Sequence, residues 1–481
     1  MQRLDQQFID NQWVPSQGSR RLPVVNPYTE EAIAEVTAGD SADVEAAVNA
    51  ARRALPAWRE RSGAERGAFL DAFADALTAR RDTLIRLSST NNGKPLAEAG
   101  IDLDDAIACY RYYAEQARAL DARQGQPVTL DVDDIDARCY FDPVGVVGLI
   151  TPWNFPLVTS AWKLAPALAA GCTVVFKPSE VTPLPEQALA EIALEIGLPA
   201  GVFNLVHGDG EGVGAPLTAH RGIDKVSFTG SNRVGEAVMR AVADGSRNIS
   251  LELGGKSPIL VMEDVDIEQA ADCVMAGLYF NAGQICSATS RLLVHETVAD
   301  ALYAALGERI DALQFGDPLA ESTTMGPVTS ARQRDAVNGY LAIAEQEGLN
   351  AMRDGGHRDL PEQGFFVAPT LFRDVPADSR LWREEIFGPV LCARSVESEE
   401  EAVELANDSD FGLAATVVSG DPQRARRIGR QLQAGSVWFN SEQLVPPQTA
   451  WGGFKRSGIG RELGPWGLAA YQEVKHLIGP A

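Results

Sequence analysis

The chain has 481 residues, 45% of them hydrophobic and 22% charged, and a formal charge of −24 at pH 7. This length calls for two or three domains rather than one core. The acidic charge is spread along the chain, which excludes nucleic acid and an anionic membrane surface as partners; it reads first as solubility, and a cationic substrate is compatible with it.

The opening "MQRLDQQFIDNQWV" lacks the apolar stretch of a secretory signal. No run of about 18 apolar residues predicts a membrane span. Cys109, Cys139, Cys172, Cys273, Cys286 and Cys392 form no CxxC pair, and the five histidines form no HExxH-like cluster. No metal site is expected, and free thiols suit a reducing cytoplasm.

Residues 40–122 read as helical, beginning with Ser41 as N-cap in "SADVEAAVNAARRAL". "VTLDVDDIDARCYFDPVG" then alternates like a strand. From residue 145 strands and helices alternate: "VGVVGLITPWN", the helix "AWKLAPALAAG" stopped by Gly171, "CTVVFKPSE", the helix "PLPEQALAEIALEIG", "VFNLVHG", "DKVSFTGS" and the helix "RVGEAVMRAVADG". Such alternation predicts a doubly wound parallel sheet with ligands at the carboxyl ends of its strands. A second α/β alternation starts near residue 258 and runs through "PILVMED", "SRLLVHE", "AATVVSG" and "SVWFN". "GGKS" at 254–257 is no P-loop, since Ser250 stands where glycine is required, and "HGDGEGVG" does not fit GxGxxG.

Cys286, in "NAGQICSAT", follows the helix ending near Phe280. A thiol of pKa about 8.5 needs a base or a positive surrounding to act as nucleophile; otherwise it is a small core hydrophobe. Glu252, between Leu251 and Leu253, would become a useful base if buried, while spacing alone favours a solvated strand end. Asn154 in "TPWNFP" offers an amide to a developing oxyanion, or is merely an Asn in a proline-rich turn. Lys177 and Glu180 in "FKPSE" suit ribose hydroxyls, or form an exposed ion pair.

In order along the chain stand "TPWNFP", "FKPSE", "FTGS", "LELGGKSP", "NAGQICSATSRL", "EEIFGPV" and "WGGFKRSGIGRE". Together with "FIDNQWV" and "VVNPYTEE", this ordered set resembles the NAD(P)-dependent aldehyde dehydrogenase superfamily, nearest its betaine-aldehyde and aminoaldehyde branch. The resemblance implies an α/β fold of two doubly wound open-sheet domains, Rossmann-like for the cofactor and catalytic for the cysteine, plus a small β oligomerisation element. The expected boundaries are 1–125 and 146–257 for the NAD-binding domain, 258–445 for the catalytic domain, and 126–145 with 446–481 for the bridging segments.

It further implies that Cys286 attacks the aldehyde, that Asn154 and the Cys286 N–H hold the oxyanion, and that hydride transfer leaves a thioester which Glu252 hydrolyses through water. Lys163 and Glu462 match a proton-relay pair, and both equally fit a structural role in a main-chain or monovalent-cation network. Cofactor contacts are expected from Ile150, Thr151, Trp153, Lys177, Ser179, Glu180, Gly210, Gly214, Phe228, Gly230, Ser231, Leu253, Glu385 and Phe387. The pyrophosphate would rest at the helix beginning near Ser231, after Thr229. Glu180 argues for NAD over NADP. A homodimer or homotetramer is implied, with no nucleic acid or membrane partner.

For the aldehyde, Phe155, Trp162, Phe280 and Trp451 offer rings that favour an amino or trimethylammonium group, or simply line an apolar channel. Asp102 and Asp105 share one helix face and match acids at the tunnel mouth of aminoaldehyde dehydrogenases. Ser287 adjoins the nucleophile, and Ser436, two residues before Trp438, leaves room for a bulky head. The branch commonly has tyrosine where this chain has Phe155. A succinate-semialdehyde or general aliphatic enzyme is the alternative; it should carry an arginine near the funnel, and Arg111 is the one candidate. A CoA-acylating enzyme is disfavoured by Glu252, and a non-enzymatic relative by the presence of all three reacting residues.

Overall fold

The computed structural model describes residues 2–349, 351–354 and 360–480. Five strands form the parallel heart of an eight-stranded sheet, ordered Asn248–Glu252, Lys225–Thr229, Val146–Ile150, Thr173–Lys177 and Phe203–Leu205. The three central strands are buried at every residue, as parallel strands covered on both faces require. From Val146–Ile150 the chain winds outward one way, then returns to build the other side, so the switch point lies between that strand and Lys225–Thr229. Ile150, Lys177, Thr229 and Glu252 therefore end on one edge.

Antiparallel flanks extend this sheet beyond the expected parallel set. Gln6–Ile9 and Gln12–Pro15 close one side, and Gly458–Ile459 pairs with Leu251 and Glu252 on the other. That last pairing corrects the expected boundary, since part of the 446–481 bridging segment belongs to the first sheet.

Helix Pro156–Ala170 is buried along its whole length and packs against helices Gly63–Ala79 and Leu96–Arg123. Its N-cap, Phe155, supplies no side-chain acceptor. Asp102 Oδ1, from a different helix, accepts the Val158 N–H at 2.9 Å instead. Gly171 ends the helix in the left-handed region at φ 95°. At the first long helix, Ser41–Arg59, the N-cap is Asp40 rather than Ser41, because the Asp40 carboxylate accepts from the N–H groups of Ala42 and Asp43.

The second sheet has seven strands, ordered Ala351–Asp354, Thr370–Phe372, Val390–Val396, Arg291–His295, Pro258–Val261, Ala414–Val418 and Ser436–Phe439; all but the first pair are parallel. Gln472–Pro480, Ile135–Pro143 and Gln126–Pro127 form a separate antiparallel ribbon. No helix among the described residues is long and apolar enough to cross a membrane.

Leu164 is fully buried in the central helix. Leu164→Ala should destabilise the protein by about 2–5 kcal/mol through the cavity it leaves, seen as a lower denaturant midpoint than for the parent.

Candidate active site

Helix Ile267–Leu278 runs out into a short turn, Phe280–Gly283, in which Asn281 and Ala282 take left-handed conformations at φ 48° and 51°. Gly283 follows at φ 75°, and a Cβ there would meet the Gly388 carbonyl at 2.2 Å, so only glycine fits. Gln284 locks the loop: its Nε2 donates to Asn281 O at 2.9 Å and its Oε1 accepts the Thr329 N–H at 2.9 Å. Cys286 lies just beyond, partly exposed as a residue although its thiol is desolvated. Burial pushes that thiol well above its ordinary value, and the neighbouring Glu252 pushes it further.

Glu252 ends the edge-most parallel strand of the first sheet and is buried. Burial raises it to about 8, the nearby Glu462 adds to the shift, and Lys163 opposes it. The neighbouring Cys286 and Trp451 also oppose it. Beneath them Lys163 and Glu462 form a buried ion pair, with Ser227 Oγ donating to Glu462 Oε1 at 3.2 Å. Asn154 is buried, and its Nδ2 donates at 3.0 Å to Gln284 O, two residues before Cys286. Thiol, carboxyl and carboxamide therefore meet at one loop. A nucleophile, a buried base and an amide donor are the parts needed for acyl chemistry at a carbonyl carbon.

The residues expected at the cofactor follow the carboxyl edge of the first sheet. Ile150 and Thr151 end its central strand, although the Thr151 hydroxyl turns under the edge to Glu186 Oε1 at 2.6 Å. Trp153 meets the Phe387 ring edge-on at 5.2 Å. Lys177 Nζ donates to Pro178 O at 2.9 Å and lies 3.2 Å from Glu180 Oε2, beside the buried Ser179. Gly210–Gly214 forms a π-helical turn capped by Asp209. Phe228 and Gly230 lead to Ser231, the N-cap of helix Asn232–Ala243, whose hydroxyl makes no capping bond. Leu253 packs on Gly235. Glu385 accepts the Gly255 N–H at 2.9 Å, and its burial raises it to about 7. Phe387 stands at φ 58°, a strained conformation for a bulky residue.

The aromatic residues fall into two groups. Phe155 stacks parallel to Phe280 at 6.0 Å. Trp451 touches Trp162 at 5.4 Å and Trp438 at 6.2 Å, and Cys286 packs against the cluster that holds them. Asp105 is exposed, and desolvation of its carboxyl with the nearby Asp102 and Asp104 raises it to about 6.

Two residues expected at the substrate are engaged by the protein itself. Asp102 is buried and committed to the Val158 N–H and to Lys94 Nζ at 3.4 Å, because its helix turns that side inward. Ser287 is buried and bonded to Gln443 Oε1 at 2.7 Å. Arg111 pairs with Asp71 and Asp75. Among the described residues, no group of three or more His, Cys, Asp or Glu side chains could hold a metal ion.

Sequence reasoning missed Lys94, Glu98, Asn281, Gln284, Trp438 as a ring contact, and Gln443. One signal was available: Glu98 and Asp102 stand four apart, the spacing of one helical face, at the start of helix Leu96–Arg123.

The chain matches the aldehyde dehydrogenase family model over residues 13–477. It is 45% identical to a chloroplastic betaine aldehyde dehydrogenase of Beta vulgaris, covering 98% of this chain and 95% of that one. It is likewise 46% identical, over the same shares, to a chloroplastic aminoaldehyde dehydrogenase of Arabidopsis thaliana. A crystal structure of betaine aldehyde dehydrogenase from Staphylococcus aureus in complex with NAD+ superposes with a TM-score of 0.95 at 40% identity, covering 98% of this chain and 94% of that one. The expected cytoplasmic location is corrected by these comparisons, since the two plant relatives are chloroplastic and a 45% identical aminoaldehyde dehydrogenase of Malus domestica is peroxisomal.

Because the Cys286 proton would pass to Glu252 as the sulfur attacks, Glu252→Gln should make Cys286 react several-fold more slowly with iodoacetamide at about pH 8.5. An unchanged or faster rate would show that Glu252 does not serve the thiol as its base.

Proposed function

This chain belongs to the aldehyde dehydrogenase family, and from that premise we propose that it oxidises an aldehyde bearing an amino or trimethylammonium group to the carboxylic acid, with NAD as acceptor. One observation carries the reading: the Cys286 thiol lies against the buried Glu252 carboxyl on a loop to which the Asn154 amide is bonded.

The Cys286 sulfur forms the bond to the aldehyde carbon as its proton passes to Glu252. The carbonyl electron pair moves onto oxygen, where the Asn154 amide and the Cys286 N–H receive the charge. NAD, when bound, supplies the hydride acceptor that leaves a thioester on Cys286. Once Glu252 has given up that first proton towards Glu462 it takes another from water, the hydroxyl adds to the thioester carbon, and the carbon–sulfur bond breaks to release the acid as the sulfur recovers the proton from Glu252. Lys163 and Glu462 would relay the proton or hold the base in place.

Two features of the chain fit the cofactor. The Thr229 hydroxyl is buried without a partner at the strand end before helix Asn232–Ala243, whose N-terminus is free of a side-chain cap. Lys177 and Glu180, side by side, suit the ribose hydroxyls, and the Glu180 carboxylate would repel a 2′-phosphate. Ile150, Thr151, Trp153, Ser179, Gly210, Gly214, Phe228, Gly230, Ser231 and Leu253 would line the same edge, with Glu385 and Phe387 at the nicotinamide end.

Support for a cationic substrate comes from the adjoining rings of Trp162, Trp438 and Trp451 and from the carboxyl of Asp105. A ring over an ammonium is worth about 0.5–2 kcal/mol. The relatives named as betaine aldehyde and aminoaldehyde dehydrogenases point the same way. With Arg111 engaged by two aspartates, the succinate-semialdehyde alternative loses its carboxylate anchor. We further propose a homodimer or homotetramer, since Val474, Leu477 and Ile478 lie exposed on the edge strand Gln472–Pro480.

A panel of 4-aminobutyraldehyde, betaine aldehyde, succinate semialdehyde and hexanal with NAD should give the highest kcat/KM for the cationic pair and none for Cys286→Ala. A preference for succinate semialdehyde would sink the substrate assignment, and activity in the alanine variant would sink the nucleophile. The base form of Glu252 gains population as pH rises, so where hydrolysis limits turnover kcat should climb through about pH 8 and the climb should vanish in Glu252→Gln. Leu477→Asp should lower the sedimentation mass; an unchanged mass would place the subunit contact elsewhere.

A further inference from the structure

Lys94, in "NNGKPL", is fully buried. Its Nζ donates at 2.7 Å to the main-chain carbonyl of Asn154 and sits 4.0 Å from the centre of the Phe155 ring. The same carbonyl accepts from Asn281 Nδ2 at 3.1 Å and from Asn92 Nδ2 at 3.3 Å. Asn281 Nδ2 also reaches Gln284 O at 3.3 Å, and that oxygen receives the Asn154 side-chain amide at 3.0 Å. One polar junction thus joins the amide donor to the cysteine loop, with an ammonium at its base. Glu98 reinforces it from the next turn, accepting the Asn281 N–H at 2.9 Å.

Stability alone does not explain an ammonium in this place. A buried ion pair is often no more stable than apolar side chains of the same volume, because both charges lose their water. An apolar residue at 94 would, however, leave the Asn154 carbonyl without its shortest and only charged donor.

We propose that Lys94 is a positioning residue: its ammonium, balanced by Asp102, fixes the Asn154 peptide and so aims the Asn154 side-chain amide at the oxygen of the reacting aldehyde. The proposal rests on the reading of Cys286 and Asn154 given above. Losing an oxyanion donor lowers kcat by about 10²–10³, and misplacing a catalytic group by about 1 Å lowers the rate by about 10².

Lys94→Met is tested together with Asp102→Asn, which removes both charges and leaves an oxygen to accept the Val158 N–H. NADH formation with betaine aldehyde should fall about 10- to 100-fold in kcat, while the KM for NAD and the rate of Cys286 alkylation by iodoacetamide stay within about twofold, since neither needs the amide. A kcat within about threefold of the parent, or a parallel fall in all three readouts, would overturn the proposal by leaving Lys94 inert or merely structural. Should the double variant not fold, Lys94→Arg keeps the charge balance but cannot reproduce the short single contact, and the same split is required of it. Asn154→Ala run alongside separates the two failures. If it keeps full kcat, the oxyanion reading fails; if it loses kcat while the Lys94 variants do not, only the Lys94 proposal fails.

Discussion

A carboxyl group withdrawn from water next to a thiol is the constraint on which this site depends. Water would hold Glu252 ionised at neutral pH and useless as a proton acceptor of matched strength. Its burial at the end of Asn248–Glu252 raises it to about 8, and the same desolvation keeps the Cys286 proton in place. The resting site is therefore rich in protons and poor in charge. Lys163 and Glu462 act as a compensated ion pair beneath it, the one opposing and the other reinforcing the shift on Glu252. Neither group of the reacting pair can be tuned alone, because the charge of each sets the proton affinity of the other.

The chain's path explains how acid and thiol come together. Glu252 leaves the carboxyl edge of the first sheet, and after five residues Pro258 enters the second. So short a connection turns the carboxyl edge of one sheet towards the amino edge of the other. The Cys286 loop lies on that amino edge, just before strand Arg291–His295. Gly255 makes the approach possible, since a Cβ there would meet the Cys286 carbonyl at 2.4 Å. Arg291 N–H donates to Ser257 O at 3.2 Å and clasps the crossing from its far side. The strained backbone of Asn281, Ala282 and Phe387 lies along this seam, where packing from both sheets holds it.

Much of this was legible in the sequence. Short apolar-rich segments alternating with helices gave away the parallel strands, and Gly171 marked the end of the central helix. The ordered motifs pointed to Cys286, Glu252 and Asn154, which lie far apart in the chain. What the sequence hides is the direction in which a face turns. Spacing puts Asp102 and Asp105 on one side of a helix, but only packing decides that Asp102 caps a neighbouring helix while Asp105 stays at the surface with a partly desolvated carboxyl. Lys94 was hidden for a related reason, since a lone lysine between glycine and proline reads as a solvated loop residue. Gly458–Ile459 gave too short a pattern to be seen as a sheet edge.

The ammonium of Lys94 also bears on how a charged substrate is told from a neutral one. A ring attracts a cation through the electron density of its face. Phe155 already has an ammonium 4.0 Å from its centre and the parallel ring of Phe280 at 6.0 Å, so its density is drawn towards a cation inside the protein. It is left a poorer partner for a cation in the channel, and it lacks the hydroxyl that a tyrosine would offer at the same place. Trp162, Trp438 and Trp451 carry no such resident charge: their ring partners are one another. On the proposed reading, selection of an ammonium head would fall to the three tryptophans, and Phe155 with Phe280 would add apolar surface rather than attraction for the cation.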